Sequence, residues 1–600
     1  MKRIVSLLLV AGLLCTALTG LALAQEPDLE IQEFPASGDM YEMMDLSDPY
    51  KTVISGLFRQ DITEGGLDRE CYVYISPENR QMEANVTIIP DSGTDVVDFL
   101  TESGWKDIAD EQGLILLIAK PDGRTWDTEE DLTYLNNMWT QTHVRYWYNC
   151  QKHNSYMVAY GNGATLGQMW GMQAVAPQKL VSFATFGDFR VDRSYIERTA
   201  AQATNVEGVT VGDIPMPVWF FVSGLSRNNE TVLDYWNQCN NVGDEVYSTD
   251  LATAVYTART NTIDSGINEQ NYLAQTRYTV TDDADDYANP ERNRAVWDFL
   301  SSVIRPVGYA NNQLRAYRSV EDWGATRQSV TVDGVERYWV EFVPETLCET
   351  GDGTAPLVVF FHGNNQGAET FLANSDAIKL ANDRGFIAIL LTGAPYHDDT
   401  QMPNPHWSLL KEEHKFDDYA YVRAAIADVV ARQPVDTTRI YGMGLSYGSM
   451  ACQAFAPEMS DIFAAIAPVS GLVRTERTAV LPTDLPDGTL MPIFLINGAT
   501  EAGTEFENAD MRSRFGGWLE ANGLGTDFDA ALTGAHKVGN YNIWTFANED
   551  GVPLVQYSTA DERIHTVVLD DLYLQYDSFL SLYSRGADGT LYYMGRPVTK

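Results

Sequence analysis

Gly444-Leu445-Ser446-Tyr447-Gly448 follows the strand-like Arg439-Ile440-Tyr441 and precedes a helix-compatible stretch, Met450-Ala451-Cys452-Gln453-Ala454-Phe455. Between a strand and a helix, G-x-S-x-G makes a sharp turn that exposes a nucleophilic serine. The glycines permit the turn, and the Tyr447 amide is placed to meet charge developing on an attacked carbonyl oxygen. A serine hydroxyl attacks only when a base takes its proton, and the base in turn needs an acid to orient it.

In this arrangement the chain order is serine, acid, histidine. Two histidines follow Ser446, namely His536 and His565. His565 comes after the strand-like Leu554-Val555-Gln556-Tyr557 and before a helical stretch, Leu572–Tyr583, which is where the base belongs; His536 precedes that strand. The acid is expected after the apolar Pro492–Ile496 run, and Glu501 stands there, with Glu505 and Asp510 as alternatives. His362-Gly363-Asn364-Asn365 follows another apolar run, Leu357–Phe361, so the Asn364 amide is the expected second donor to the oxyanion. His406-Trp407 and Phe416-Asp417-Asp418-Tyr419 fall between that loop and Ser446. His406 and Trp407 are candidates to line an acyl or sugar site; core packing, with Asp417 or Asp418 capping a helix, is the competing reading.

The elements that carry these residues are apolar strands without polar alternation, separated by helix-period stretches, which indicates a parallel sheet covered on both faces. The pattern occurs twice. Arg69–Pro77 leading to Ala84–Ile89 matches Arg337–Pro344 leading to Pro356–Phe361. Gly113–Ile118 matches Gly385–Leu391, Met157–Tyr160 matches Arg439–Tyr441, and Met216–Phe221 matches Met491–Ile496. The expected fold is therefore α/β, with two tandem α/β-hydrolase-like domains. The expected divisions are a signal peptide at 1–24, a linker at 25–50, a first domain at 51–312 and a second at 313–600.

In the first half the chemistry is missing. Its turn, aligned as Gly161-Asn162-Gly163-Ala164-Thr165, puts Gly163 at the serine position; Arg227 falls near the acid position and Asp286 at the histidine position. No histidine lies between His153 and His362. The first domain is thus expected to be catalytically degenerate. Trp105, Trp126, Trp139, Trp147 and Trp170 are expected in its core or a lid, with sugar stacking as the alternative.

Bulk properties narrow the partners. Lys2 and Arg3, an apolar run from Ile4 to Leu14, and Ala22-Leu23-Ala24 form a secretory signal pattern, so secretion is expected after cleavage near Ala24. The formal charge of −42, or −44 without Lys2 and Arg3, disfavours nucleic acid and anionic lipid. The five cysteines beyond Ala24 are far apart and form no C-x-x-C pair, which disfavours a cysteine metal site. With no H-E-x-x-H, Walker sequence or dinucleotide fingerprint, neither metal nor cofactor is expected.

The run Val435-Asp436-Thr437-Thr438-Arg439-Ile440-Tyr441-Gly442-Met443-Gly444-Leu445-Ser446-Tyr447-Gly448-Ser449-Met450, with Phe463-Ala464-Ala465-Ile466-Ala467-Pro468-Val469-Ser470-Gly471, resembles the polyhydroxybutyrate depolymerase/feruloyl esterase family. The resemblance covers roughly the second half and fades before Pro344. It implies hydrolysis of carboxylic esters, on aromatic acyl or acetyl groups of plant polysaccharide or on polyester, so an ester-bearing polymer is the expected partner. Two departures bear on the substrate: Tyr447 and Ser449 replace the small residue and glycine that often follow the serine, and Glu501 stands where the family usually has Asp.

Overall fold

The structure is a computed structural model that describes residues 29–123, 125–144, 150–174, 179–204, 209–248, 253–258, 273–306, 314–347, 353–396, 404–410 and 416–599. The expected signal peptide, Trp147, Cys348 and the expected domain division at 312/313 lie outside them.

Two large sheets organise the chain. The first comprises β1 (Ile31–Glu33), β2 (Gly56–Ile62), β3 (Arg69–Ile75), β4 (Asn85–Ile89), β5 (Ile115–Ala119), β6 (Ser155–Tyr160), β7 (Ser182–Phe186), β8 (Val218–Val222), β9 (Val242–Ser248), β10 (Thr253–Ala258) and β11 (Gln275–Val280). The second comprises β12 (Thr326–Val332), β13 (Val335–Phe342), β14 (Ala355–Phe361), β15 (Ile387–Leu391), β16 (Val435–Leu445), β17 (Ala465–Val469), β18 (Ile493–Gly498), β19 (Gly534–Val538), β20 (Tyr541–Ala547) and β21 (Pro553–Ala560).

Strand order in the first sheet is β1-β2-β3-β5-β4-β6-β7-β8-β11-β10-β9, and in the second β12-β13-β15-β14-β16-β17-β18-β21-β20-β19. Apart from β1, the two orders superimpose strand for strand. So do the pairings, parallel through the centre and antiparallel at both edges. This is the α/β-hydrolase arrangement, present in both halves.

Its physical basis is visible in single strands. All of β5 is buried, with Ile115, Leu117 and Ala119 in one core cluster and Leu116 and Ile118 in another. A strand with helices on both faces needs apolar residues at every position, hence the unbroken runs. The edge strand β12 has no fully buried position, and the near-edge β20 buries Tyr541, Ile543 and Phe546 while the residues between stay partly open.

The stretch expected as a linker is largely built in. Ile31–Glu33 pairs in parallel with β2, and Met40 and Tyr50 are buried. Trp105, Trp126, Trp139 and Trp170 are buried in the first half and so are core residues. Cys71, Cys150, Cys239 and Cys452 are buried free thiols. Among the described residues no helix is long and apolar enough to cross a membrane.

Candidate active site

The candidate residues of the second half gather at the carboxyl ends of its parallel strands, where open α/β sheets place ligands. β16 ends at Leu445, and the helix Tyr447–Glu458 begins two residues later, so Ser446 alone makes the turn, at φ 57° and ψ −117°. That is strained backbone for a residue with a side chain, and close packing holds it there. A Cβ on Gly448 would lie 2.1 Å from the Phe361 carbonyl oxygen, one on Gly444 2.4 Å from the Gly448 carbonyl, and one on Gly471 2.4 Å from the Ser446 carbonyl. Glycine is required at each because backbone passes where a side chain would be.

Ser446 Oγ is 2.8 Å from His565 Nε2, and His565 Nδ1 is 2.6 Å from Glu501 Oε2. With Nδ1–H donating to the carboxylate, Nε2 is left to accept the serine proton, so the carboxylate sets the tautomer. Glu501 Oε1 accepts from the Gly498 amide (2.6 Å) and from Ser470 Oγ (2.7 Å). Burial would raise the Glu501 pKa, but the hydrogen bonds from His565, Ser470 and Gly498 outweigh it and hold the carboxyl below its ordinary value. Glu505 and Asp510 are exposed, Asp510 pairing with Arg514, and His536 is exposed on β19.

The loops bearing acid and base are laced together. The Ala499 amide donates to the Ala560 carbonyl (2.8 Å), and the Thr500 amide and hydroxyl both donate to the Arg563 carbonyl (3.1 and 2.6 Å). Beneath them, buried Arg563 pairs with buried Asp571, which also accepts from Tyr541 (2.8 Å) and the Val568 amide (2.9 Å). Sequence reasoning missed Ser470 as a partner of the acid. Its signal was present: a serine directly after β17, on the strand next to the one leading to Glu501.

The Asn364 side chain sits on an exposed turn stabilised from below. His362 is buried, with Nδ1 2.7 Å from the Gly363 carbonyl and Nε2 accepting from the Gly393 amide (2.8 Å). Burial pushes its pKa down to about 4, so the ring is neutral near neutral pH and can accept that bond. The Gly363 amide donates to Gln366 Oε1 (3.0 Å). Because Gly448 touches the Phe361 and His362 carbonyls, this loop and the Tyr447–Glu458 helix start are in direct contact.

His406 and Trp407 separate. His406 Nδ1 is 2.5 Å from Asn364 Oδ1 and its ring lies on Tyr447, centroids 4.1 Å apart, so it stands at the site. Trp407 is fully buried; it packs on Phe361 and Phe455 and donates to the His362 carbonyl (2.9 Å). Its expected substrate contact is therefore corrected: Trp407 is core that supports the loop. The cap reading is met by Asp417, which accepts from the Ala420 amide (2.9 Å). Among the described residues no group of three or more His, Cys, Asp or Glu is placed to hold a metal ion.

The strand register also corrects the alignment of the first half. Phe361 pairs with Gly444 and Ile89 with Ala159, so Ser446 corresponds to Gly161, not Gly163. Ile466 pairs with Ile493 and Phe183 with Val218, which places Ser226, not Arg227, opposite Glu501.

The second half thus combines an α/β-hydrolase sheet with a serine, a histidine and a carboxylate in hydrogen-bonded sequence. The second half is matched at residues 348–498 by the Esterase PHB depolymerase family model. Feruloyl esterase B of Piromyces equi is 29% identical over 120 residues, which is 20% of this chain. The matched stretch spans 21% of that curated relative's length. Among solved structures, an acetyl xylan esterase from Aspergillus awamori is similar at 16% identity and TM-score 0.34, covering 42% of this chain and 99% of that one. An S-formylglutathione hydrolase from Agrobacterium tumefaciens is similar at 13% identity and TM-score 0.31, covering 43% and 94%.

Proposed function

We propose that the protein is a secreted serine carboxylic-ester hydrolase that works through an acyl-enzyme on Ser446. The observation that carries this reading is the continuous hydrogen-bonded relay from Ser446 Oγ through His565 to Glu501 at a strained strand-to-helix turn. As the serine oxygen bonds to the ester carbonyl carbon, its proton passes to His565 Nε2, and Glu501 stabilises the imidazolium that forms. The carbonyl electrons move to oxygen, and the resulting oxyanion is received by the amides of Tyr447 and Asn364. Of the two amides at positions 363 and 364, that of Gly363 is engaged by Gln366, which favours Asn364 as the donor. His565 then gives its proton to the departing alcohol, and water repeats the sequence to release the acid.

The substrate we favour is an aromatic or acetyl ester on plant polysaccharide. The match to the Esterase PHB depolymerase family and the similarity to a feruloyl esterase support it. His406, packed at a tilt against Tyr447, supplies an aromatic wall beside the serine that suits a planar acyl group. The family description also favours polyester as a second reading. The N-terminal signal pattern supports secretion. The deciding experiment is release of p-nitrophenol from short acyl esters, with methyl ferulate, acetylated xylan and a polyester film in parallel, by wild type and Ser446→Ala. Hydrolysis lost in the variant supports the reading, and the preferred substrate separates polysaccharide ester from polyester. Hydrolysis retained by Ser446→Ala overturns it.

A further inference from the structure

The loop of residues 362–367 is supported by residues of the first half. Gly393, whose amide holds His362, follows Thr392. The Thr392 carbonyl accepts from Arg337 Nη2 (3.2 Å) and from the hydroxyl of Tyr50 (3.3 Å), and its own hydroxyl accepts from the Ala368 amide (3.2 Å) at the far end of the loop. Tyr50 also accepts from Arg337 Nε (3.0 Å) and packs edge-on against Tyr338 at 4.6 Å between centroids. Arg337 is paired with Asp418, both wholly buried, and Asp418 accepts from the Ser408 amide (2.6 Å) next to Trp407. A second contact lies alongside, where Thr370 Oγ1 donates to Met82 Sδ (3.5 Å) and Met82 Cγ lies 3.4 Å from the place a Cβ on Gly367 would take.

Tyr50 and Met82 belong to the first half. The Tyr50 carbonyl accepts from the Gln81 amide (2.9 Å), Lys51 bridges to Arg80, and Arg80 pairs with Asp48 (2.7 Å). The junction is not closed by continuous apolar packing: a cavity of about 820 Å³ lies beside it, lined by Tyr50, Met82, Glu83, Trp323, Tyr338 and Glu369. Contact with the loop is thus concentrated in a few defined bonds. A buried tyrosine whose single hydroxyl both donates to a loop carbonyl and accepts from a buried guanidinium fixes both at once, and removing it leaves an N–H of Arg337 without its acceptor.

We infer that the first half completes the active centre of the second: Tyr50 is a positioning residue that, through Arg337 and the Thr392–Gly393–His362 chain, fixes the loop that presents the Asn364 amide. This rests on the ester-hydrolase reading above. A donor that acts on the oxyanion works in the transition state, so loosening it lowers kcat and leaves KM nearly unchanged.

The test uses the full chain, with kcat and KM measured per active site by burst titration on a p-nitrophenyl ester. Tyr50→Phe keeps the ring and removes the hydroxyl; kcat is expected to fall about five- to thirtyfold with KM within about twofold. Tyr160→Phe is the control, because Tyr160 hydrogen-bonds Asn293 and Trp105 wholly within the first half; its kcat is expected to stay at the wild-type level. Equal kcat in Tyr50→Phe and wild type overturns the inference, and so does an equal fall in both variants, which would signal general destabilisation. Should Tyr50→Phe not accumulate folded, Met82→Ala reads the neighbouring contact: a two- to fivefold fall in kcat at constant KM supports positioning, and no change overturns it. A wild type that hydrolyses no ester overturns the function proposed above together with this inference; an active wild type with an unaffected Tyr50→Phe overturns this inference alone.

Discussion

Ser446 and Gly161 occupy equal places in two sheets of the same order, and the backbone around them is nearly the same. The Ser446 amide donates to the Val469 carbonyl at 2.9 Å, and the Gly161 amide to the Phe186 carbonyl at 2.8 Å. Both residues have positive φ, 57° and 53°. The difference lies in what surrounds the turn. In the second half, glycines at 448 and 471 let the backbone pack closely around the turn, and Ser446 Oγ hydrogen-bonds His565. In the first half the Asp91 carboxylate accepts from the Asn162 amide (3.1 Å), the counterpart of the Tyr447 amide, and a Cβ on Gly161 would lie 2.1 Å from it. Asp188 takes the place of Gly471 and accepts from Ser223 and Asn229. The histidines of the first half among the described residues, His143 and His153, are buried in its interior, and burial pushes their pKa values down to about 3 and about 4. The same strand frame thus supports an exposed relay in one half and a turn filled by carboxylates in the other. Strand order is set by burial of apolar runs, whereas the chemistry depends on a few side chains at strand ends that the sheet tolerates in either form.

The largest expected effect is on Ser446→Ala, which should lower ester release by roughly 10⁴-fold or more while the first half adds nothing. Residual turnover near the wild-type rate would show that the two halves do not differ as described. Glu501→Gln should lower kcat by roughly 10³–10⁴-fold, because the amide no longer stabilises the imidazolium. Since the Glu501 pKa is depressed in the folded protein, its ionised form stabilises the fold above the ordinary carboxylate pKa of about 4. That contribution is lost as pH falls through the lowered value. Melting curves of wild type and Glu501→Gln should therefore converge on acidification; curves that stay parallel would argue against the depressed pKa.

Gly161→Ser tests the other half. The new Cβ meets Asp91 and sits at positive φ, so stability should drop by about 2 kcal/mol or more in denaturant titration. In a Ser446→Ala background it should restore no hydrolysis; recovered activity would mean the first half retains a working base. Ser470→Ala removes one of the three hydrogen bonds to Glu501 and should cost about three- to tenfold in kcat. Asp91→Ala is the mildest, with a stability loss of about 1 kcal/mol and unchanged ester hydrolysis, checked by the same two assays.

Much of the site was legible before any fold was known, for definite reasons. G-x-S-x-G between an apolar strand and a helix is a local pattern, and chain order limited the base to two histidines. His565 was separable from His536 because one follows a strand-like run and the other precedes it. Glu501 was legible as a carboxylate just beyond a strand, but Glu505 and Asp510 met the same local criterion. Only the fold set Glu501 toward His565 and left the others in solvent. Trp407 stays open between substrate wall and core in the sequence, because an aromatic near a site looks alike either way; the fold puts it in the core. The alignment of the first half slipped by two residues because glycine recurs at 161 and 163, and only strand register counts positions across neighbouring strands.

The sequence by itself determined the α/β class, the repetition of one strand pattern, the serine turn and the absence of a serine at the equivalent turn. Those properties depend on residue type and spacing along the chain. The tertiary structure alone decided which carboxylate orients His565, that Ser470 holds that carboxylate, that Asp91 caps the first-half turn, and that Tyr50 reaches Thr392. Each of these joins residues dozens to hundreds of positions apart, so the information lies in where the sheets bring strand ends together rather than in any local pattern.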